Sequence, residues 1–231
     1  MRAKEFLSNH QVNFEPINVV GNAEGQARLR AHGFDTVPAV ALGDRIVSGG
    51  DLKAIADLVG FAYEPPVILP PDVLMAKWDA ILEGACRFIR QIPQESLSVK
   101  SPDRDRSLLG LCYHIVTIGR TFLRVYDERE GNERKPDDVT TSEQVAAVGD
   151  ETRVLLRTWW EEIGVHDPLD RVVESYQGIQ TLLEYLERET WHTGQHTRQV
   201  MMFMDQLGIP VDRPLDPEVF AGLPMPERVW D

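Results

Sequence analysis

Cysteine is scarce in this chain. Cys86 and Cys112 are the only two among 231 residues, and they lie far apart in sequence. Two isolated thiols argue against a disulfide-stapled scaffold and fit a reducing cytoplasm. Long apolar runs are also missing. None approaches 18 residues, so no membrane-spanning helix is expected. The opening MRAKEFLSNH has no apolar core or small-residue cleavage site, so no secretory leader is expected. Positive charge is in deficit: 24 Lys and Arg stand against 37 Asp and Glu, for a net charge of −13. Phosphate binding needs a basic surface, so nucleic acid is excluded as the main partner and an anionic membrane is disfavoured. At 42% apolar and 26% charged residues the chain has the composition of a folded protein.

The chain changes character near residue 62. Residues 1–62 carry six basic and seven acidic side chains, so nearly all the acidity belongs to the rest. Between the two parts lies FAYEPPVILPP, residues 61–71, with four prolines. Proline fixes φ and removes a backbone donor, so this stretch reads as a semi-extended linker. The first part alternates signals in the order α-β-α-β-β-α. Residues 2–9 read as a helix, 12–20 as a strand and 23–32 as a helix stopped by Gly33. VPAVALG and RIVS read as strands joined at Gly43-Asp44, and a last helix runs from Asp51 to Gly60.

The second part reads as four amphipathic helices near 72–92, 105–127, 142–164 and 171–208, the pattern of a four-helix bundle. Leu207-Gly208-Ile209-Pro210 supplies a stop for the last of them. Residues 211–231 hold four more prolines and read as an extended tail wrapping back on the surface. No internal repeat is present.

The last helix carries an inward seam of Leu182, Leu186, Glu189, Thr193, His196, Val200, Phe203 and Leu207. Its spacings alternate three and four, as a core stripe requires. The seam is apolar at both ends and polar in the middle. His192 lies four residues before His196, so both imidazoles leave nearly one face, one turn apart. Glu189 sits three residues before His192. The second helix interrupts its apolar face of Leu111, Ile115, Ile118, Phe122 and Val125 with His114. Buried imidazoles are costly without partners. A divalent metal would satisfy all three at once and leave coordination positions open. An H-x-x-x-H pair also occurs by chance as two ordinary half-exposed histidines, and spacing alone leaves both readings standing. His10, His32 and His166 fall at turns or helix ends and read as solvated. Trp159, Trp160 and Trp191 read as packing.

LLGLCYHIVTIGRTFL and LLEYLERETWHTGQHTRQVMMFMDQLGI, with the histidines they contain, resemble the DinB family of four-helix bundles. The resemblance spans residues 72–210. It implies that His114, His192 and His196 bind a metal, Zn or Ni, in a bundle that is commonly a homodimer with a pocket open at one end. Some members of that family, such as bacillithiol transferases and mycothiol-dependent maleylpyruvate isomerase, join or act with low-molecular-weight thiols.

The first part resembles the glutaredoxins, through RAKEFLSNHQVNFEPINV and HGFDTVPAVALGDRIVSGGDLKAIADLVG. The resemblance implies a cis proline in Thr36-Val37-Pro38 and a thiol-peptide groove built from those residues with Gly49, Gly50 and Asp51. One departure is severe. The family's C-x-x-C and first strand would precede Arg2-Ala3-Lys4, and neither is present. Without that thiolate, dithiol redox chemistry is impossible. Three explanations compete: a degenerate domain, a strand donated by a partner chain, or a start codon assigned too late. The third accounts best for a resemblance that begins at the first residue.

The expected fold is therefore α+β overall. A truncated glutaredoxin-like α/β domain spans 1–60, a linker 61–71, an all-α DinB-like bundle 72–210 and a tail 211–231. The expected activity is that of a cytoplasmic, metal-dependent enzyme of thiol metabolism, a thiol S-transferase or a thiol-dependent isomerase or hydrolase. It would act on a small molecule, with a low-molecular-weight thiol as cosubstrate, and Glu189 would serve as orienter or base. Two alternatives stand beside it. One is a metal-binding stress or redox accessory with the first domain as docking surface. The other is a glutathione-transferase-like enzyme, against which the S-G-G-D turn and the H-x-x-x-H both count.

Overall fold

The chain divides into two units, one made mostly of residues 1–67 and the other mostly of residues 68–229. The computed structural model describes residues 2–34, 37–64, 67–100, 106–128, 135–175 and 178–229. The first unit contains α1 (Arg2–Asn9), α2 (Ala23–Ala31), α3 (Leu52–Val59) and a hairpin of β1 (Ala39–Leu42) and β2 (Arg45–Ser48). The hairpin is antiparallel, with Val40 opposite Val47. Asn22 and Asp51 cap α2 and α3, and Gly60 ends α3 in the left-handed region at φ 96°. Ala3, Phe6, Leu7, Leu52, Ile55 and Ala56 form the core, with Val40, Val47 and Phe61 against it.

The strand expected at 12–20 does not form. A strand persists only with ladder partners, and among the described residues of 1–67 the only strands are β1 and β2, which pair with each other. Phe14 and Ile17 are correspondingly half exposed and Val20 is exposed. His10 is exposed as expected, yet stacked on Phe61 at 4.4 Å, and its Nδ1 lies 2.8 Å from the Phe6 carbonyl oxygen.

The second unit is built on α4 (Pro71–Gln91), α5 (Leu108–Tyr126), α6 (Ser142–Glu162) and α7 (Leu182–Gln206). Pro71 opens α4, where its missing N–H costs nothing. Ser107 caps α5, and capping boxes start α6 at Thr141/Gln144 and α7 at Thr181/Glu184. The last helix therefore begins eleven residues later than the periodicity suggests. Residues 172–175 and 178–181 form a second hairpin, β3 and β4 (Val172–Ser175 and Gly178–Thr181). Its β-branched residues Val172, Val173, Ile179 and Thr181 suit a strand better than a helix.

α4 packs on α6 and α7, and α5 packs on the same pair, so α4 and α5 lie on one diagonal of the bundle and α6 and α7 on the other. Crossing a diagonal needs a long connection. Residues 92–107 and 163–181 supply the two. α5 is long and apolar enough to cross a membrane by length and composition, but Leu111, Ile115, Ile118 and Phe122 are buried inside the bundle. Leu207 caps α7 and is more exposed than the seam predicts. The segment after α7 runs back over the bundle. Lys77 donates to the carbonyls of Glu218 and Val219, and Arg87 to those of Asp212 and Arg213.

Asp79 of α4 receives bidentate pairs from Arg153 and Arg157 of α6, at 3.0–3.2 Å. Burial pushes its carboxyl pKa up, but the two guanidiniums outweigh that and hold it below the ordinary value. A depressed folded pKa contributes stability above the unfolded pKa, near 3.9, and loses it as pH falls through the folded value. Asp79→Asn should therefore cost about 1–2 kcal/mol at pH 7. The difference from the parent should shrink towards zero as pH falls below about 3.9. Urea denaturation at pH 7 and pH 3 checks this, and a pH-independent difference would contradict it.

Candidate metal centre

A polar stretch inside a helical bundle needs its own hydrogen bonds. On α7 the threonines provide them: Thr190, Thr193 and Thr197 are buried, and each hydroxyl donates to the carbonyl four residues back. Thr193 also accepts from the indole N–H of Trp78 on α4 at 2.8 Å. These bonds satisfy the three threonine hydroxyls on the interior face beside the histidines.

The bundle brings His114 of α5 together with His192 and His196 of α7. One ligand atom from each lies within 4.8 Å of the other two. The ring centroids are 4.7–5.3 Å apart. All three side chains are half buried. His192 and His196 meet through their Nε2 atoms at 2.9 Å. The other nitrogen of each ring is engaged on the far side. His192 Nδ1 lies 3.3 Å from Glu189 Oε2, and His196 Nδ1 lies 2.6 Å from Gln199 Oε1.

These contacts assign the tautomers. A carboxylate only accepts, so His192 donates from Nδ1–H, and the same holds for His196 facing an amide oxygen. A neutral ring then carries its lone pair on Nε2. The two Nε2 atoms, 2.9 Å apart, are close enough to share a proton or a metal cation between them. The residues thus fit a divalent metal, with three imidazole ligands and, behind His192 and His196, partners that fix the ring orientation. Burial pushes His196 well below the ordinary histidine range, and the neighbouring His192 and His114 add to the shift. A neutral imidazole is the form a metal takes.

Glu189 is 1% exposed, and its other oxygen pairs with Arg188. Burial pushes its pKa up, but Arg188 and His192 outweigh that and keep it below the ordinary value. The carboxylate is ionised with both oxygens engaged. Gln199 is a site residue that the sequence reading does not single out. Its position three residues beyond His196, on the same face, is the available signal. Neither cysteine offers a nucleophile. Burial raises the Cys86 thiol to about 12, and complete burial raises Cys112 as well. A cleft of about 220 Å³ between α4 and α6, lined by Trp78, Asp79, Leu156, Arg157 and Trp160, lies on the bundle edge opposite the histidines.

In the first unit, Val37–Pro38 is cis and Gly49 N–H donates to the Pro38 carbonyl at 2.8 Å. A Cβ at Gly49 would lie 2.7 Å from Pro38 Cβ, so the approach requires glycine. Gly50 N–H bonds to Ser48 Oγ, and the Asp51 carboxylate is occupied in capping α3 at Ala54 N–H. Thr36 lies outside the described residues.

The sequence model of the glutaredoxin family matches residues 1–47. No curated protein matches the chain. Among solved structures, a DinB-like protein from Bacillus cereus ATCC 10987 superposes with a TM-score of 0.52 at 20% identity, over 62% of this chain and 95% of that one. At that identity the likeness is one of fold. The chain is therefore a glutaredoxin-like segment followed by a DinB-like helical domain.

Proposed function

We propose that this is a metal-dependent enzyme that transfers a low-molecular-weight thiol to an electrophilic small molecule. One observation carries the proposal: three imidazoles converge in a bundle that follows a segment of a thiol-handling family. A divalent cation, Zn or Ni, would sit at His114, His192 and His196, where it supplies Lewis acidity that lowers the pKa of a thiol towards neutrality. Glu189 orients His192 through Nδ1; with both oxygens engaged and a lowered pKa, it is a poor proton acceptor for substrate. Arg106 lies close enough to act electrostatically on His196. That positive charge suits a cosubstrate bearing carboxylates, as glutathione and bacillithiol do. In the reaction the thiol gives up its proton to solvent water and the sulfur bonds to an electrophilic carbon as that carbon's leaving group departs with its electron pair. Cytoplasmic location and a homodimer belong to the same proposal.

The test is turnover of metal-loaded protein with glutathione, mycothiol or bacillithiol and a chromogenic aryl halide. At least one thiol should give metal-dependent turnover that His196→Ala abolishes. A second reading is a metal-binding accessory without catalysis: the partners behind His192 and His196 are ones that a purely structural metal site would also use. Metal bound at the histidines with no turnover for any thiol would select this reading.

A further inference from the structure

The chain after Met225 lies along α7 as a series of backbone acceptors. Arg198 donates to the carbonyls of Pro226 and Glu227, at 2.8 and 3.2 Å. The Gln195 amide donates to those of Arg228 and Val229, at 3.0 and 2.8 Å. The Gln199 amide donates to Val229 at 3.0 Å. Gly194 leaves room beside them for Phe220 and Met225.

A backbone carbonyl can only accept. With Gln195 and Gln199 on it, both lone pairs of the Val229 oxygen are used. Gln199 must therefore turn its Nε2 towards Val229, which leaves Oε1 facing His196. Gln199 and Gln195 are both nearly buried, at 9% exposure, so water competes poorly for these groups. An amide free to flip would offer His196 either a donor or an acceptor. This one offers only the acceptor.

We infer that the segment 226–229 sets the tautomer of His196, through Gln199, and so presents the Nε2 lone pair for metal. Gln199 is a positioning residue and the tail is the part that orients it. The inference rests on the metal reading above for its purpose, but the tautomer is a property of the protein without metal. That separates the two tests.

The experiment compares four full-length or shortened proteins: the parent, Gln199→Leu, a chain ending at Met225, and that shortened chain carrying Gln199→Glu. Two readouts are taken at one fixed pH: the ¹⁵N signals of His196 in metal-free protein, and Zn affinity by chelator competition. The parent should show His196 protonated at Nδ1. Gln199→Leu should mix the tautomers and weaken Zn binding 10–100-fold, the usual cost of losing a partner behind a ligand. The shortened chain should mix the tautomers too, and weaken Zn binding by up to about tenfold. Gln199→Glu in the shortened chain should restore both readouts, because a carboxylate accepts whichever way it turns. A tail that merely stabilised α7 would not be rescued in this way. A shortened chain with the parent's tautomer and affinity overturns the inference, and so does failure of Gln199→Glu to restore the Nδ1–H form. If the parent binds no Zn, the proposed function fails, and the ¹⁵N signals still decide this inference.

Discussion

Replacing His192 or His196 with alanine is expected to weaken metal binding by about a hundredfold to a thousandfold. The magnitude follows from the donor set. A four-ligand zinc site is worth about 10–16 kcal/mol, so one imidazole carries about 2.5–4 kcal/mol. The two residues are also coupled. Their Nε2 atoms stand 2.9 Å apart, so a cation between them draws on both and loss of either leaves the other without its partner. His114→Ala should cost a similar factor, although it sits on a different helix, because its ring is 4.9 Å from His196 and 5.3 Å from His192. Chelator competition with Zn and Ni measures all three. Circular dichroism should remain that of the parent, since the rings are half buried and the core around them is independent of them. Equal affinity in parent and variants would contradict the assignment.

Trp78→Ala is expected to cost about 3–5 kcal/mol, a larger loss of stability than Asp79→Asn produces. The indole is completely buried, packs edge-on against Phe122 at 5.5 Å and donates to Thr193. Truncation leaves a large cavity between α4 and α7 and strips Thr193 of its donor. Trp78→Phe separates the terms: it keeps most of the packing and loses the hydrogen bond, for about 1 kcal/mol. Thr193 also donates to the Glu189 carbonyl at 2.7 Å, one turn below. Trp78 thereby ties α4 to the part of α7 that carries the histidines. Urea denaturation of both variants gives the two numbers. An alanine variant within about 1 kcal/mol of the parent would mean that α4 does not brace this part of the bundle.

Some of this is legible in the sequence, and the rest is hidden for physical reasons. The His192/His196 pair can be read because a helix repeats every 3.6 residues, so a spacing of four fixes a shared face. His114 is visible only as a polar break in an apolar stripe, and its meeting with α7 depends on α5 and α7 being bundle neighbours. That arrangement is set by two diagonal crossings that periodicity does not encode. The strand pair at 172–175 and 178–181 reads as helix because its apolar residues fit either period over a short run. The Thr181/Glu184 capping box is the signal that the helix starts later. The strand expected at 12–20 has the right composition, but strand formation is decided by a partner elsewhere in the chain. Gln199 is hidden for the same reason. Its role depends on a carbonyl thirty residues away, delivered by a tail that composition describes only as extended.

Everything proposed for the bundle depends on a metal held by three imidazoles. X-ray absorption of Zn-loaded protein tests this most directly. One Zn per chain is expected, with scattering from three histidine nitrogens that falls to two in His196→Ala. Protein that retains no Zn after dialysis, or Zn whose spectrum lacks imidazole scattering, would contradict it.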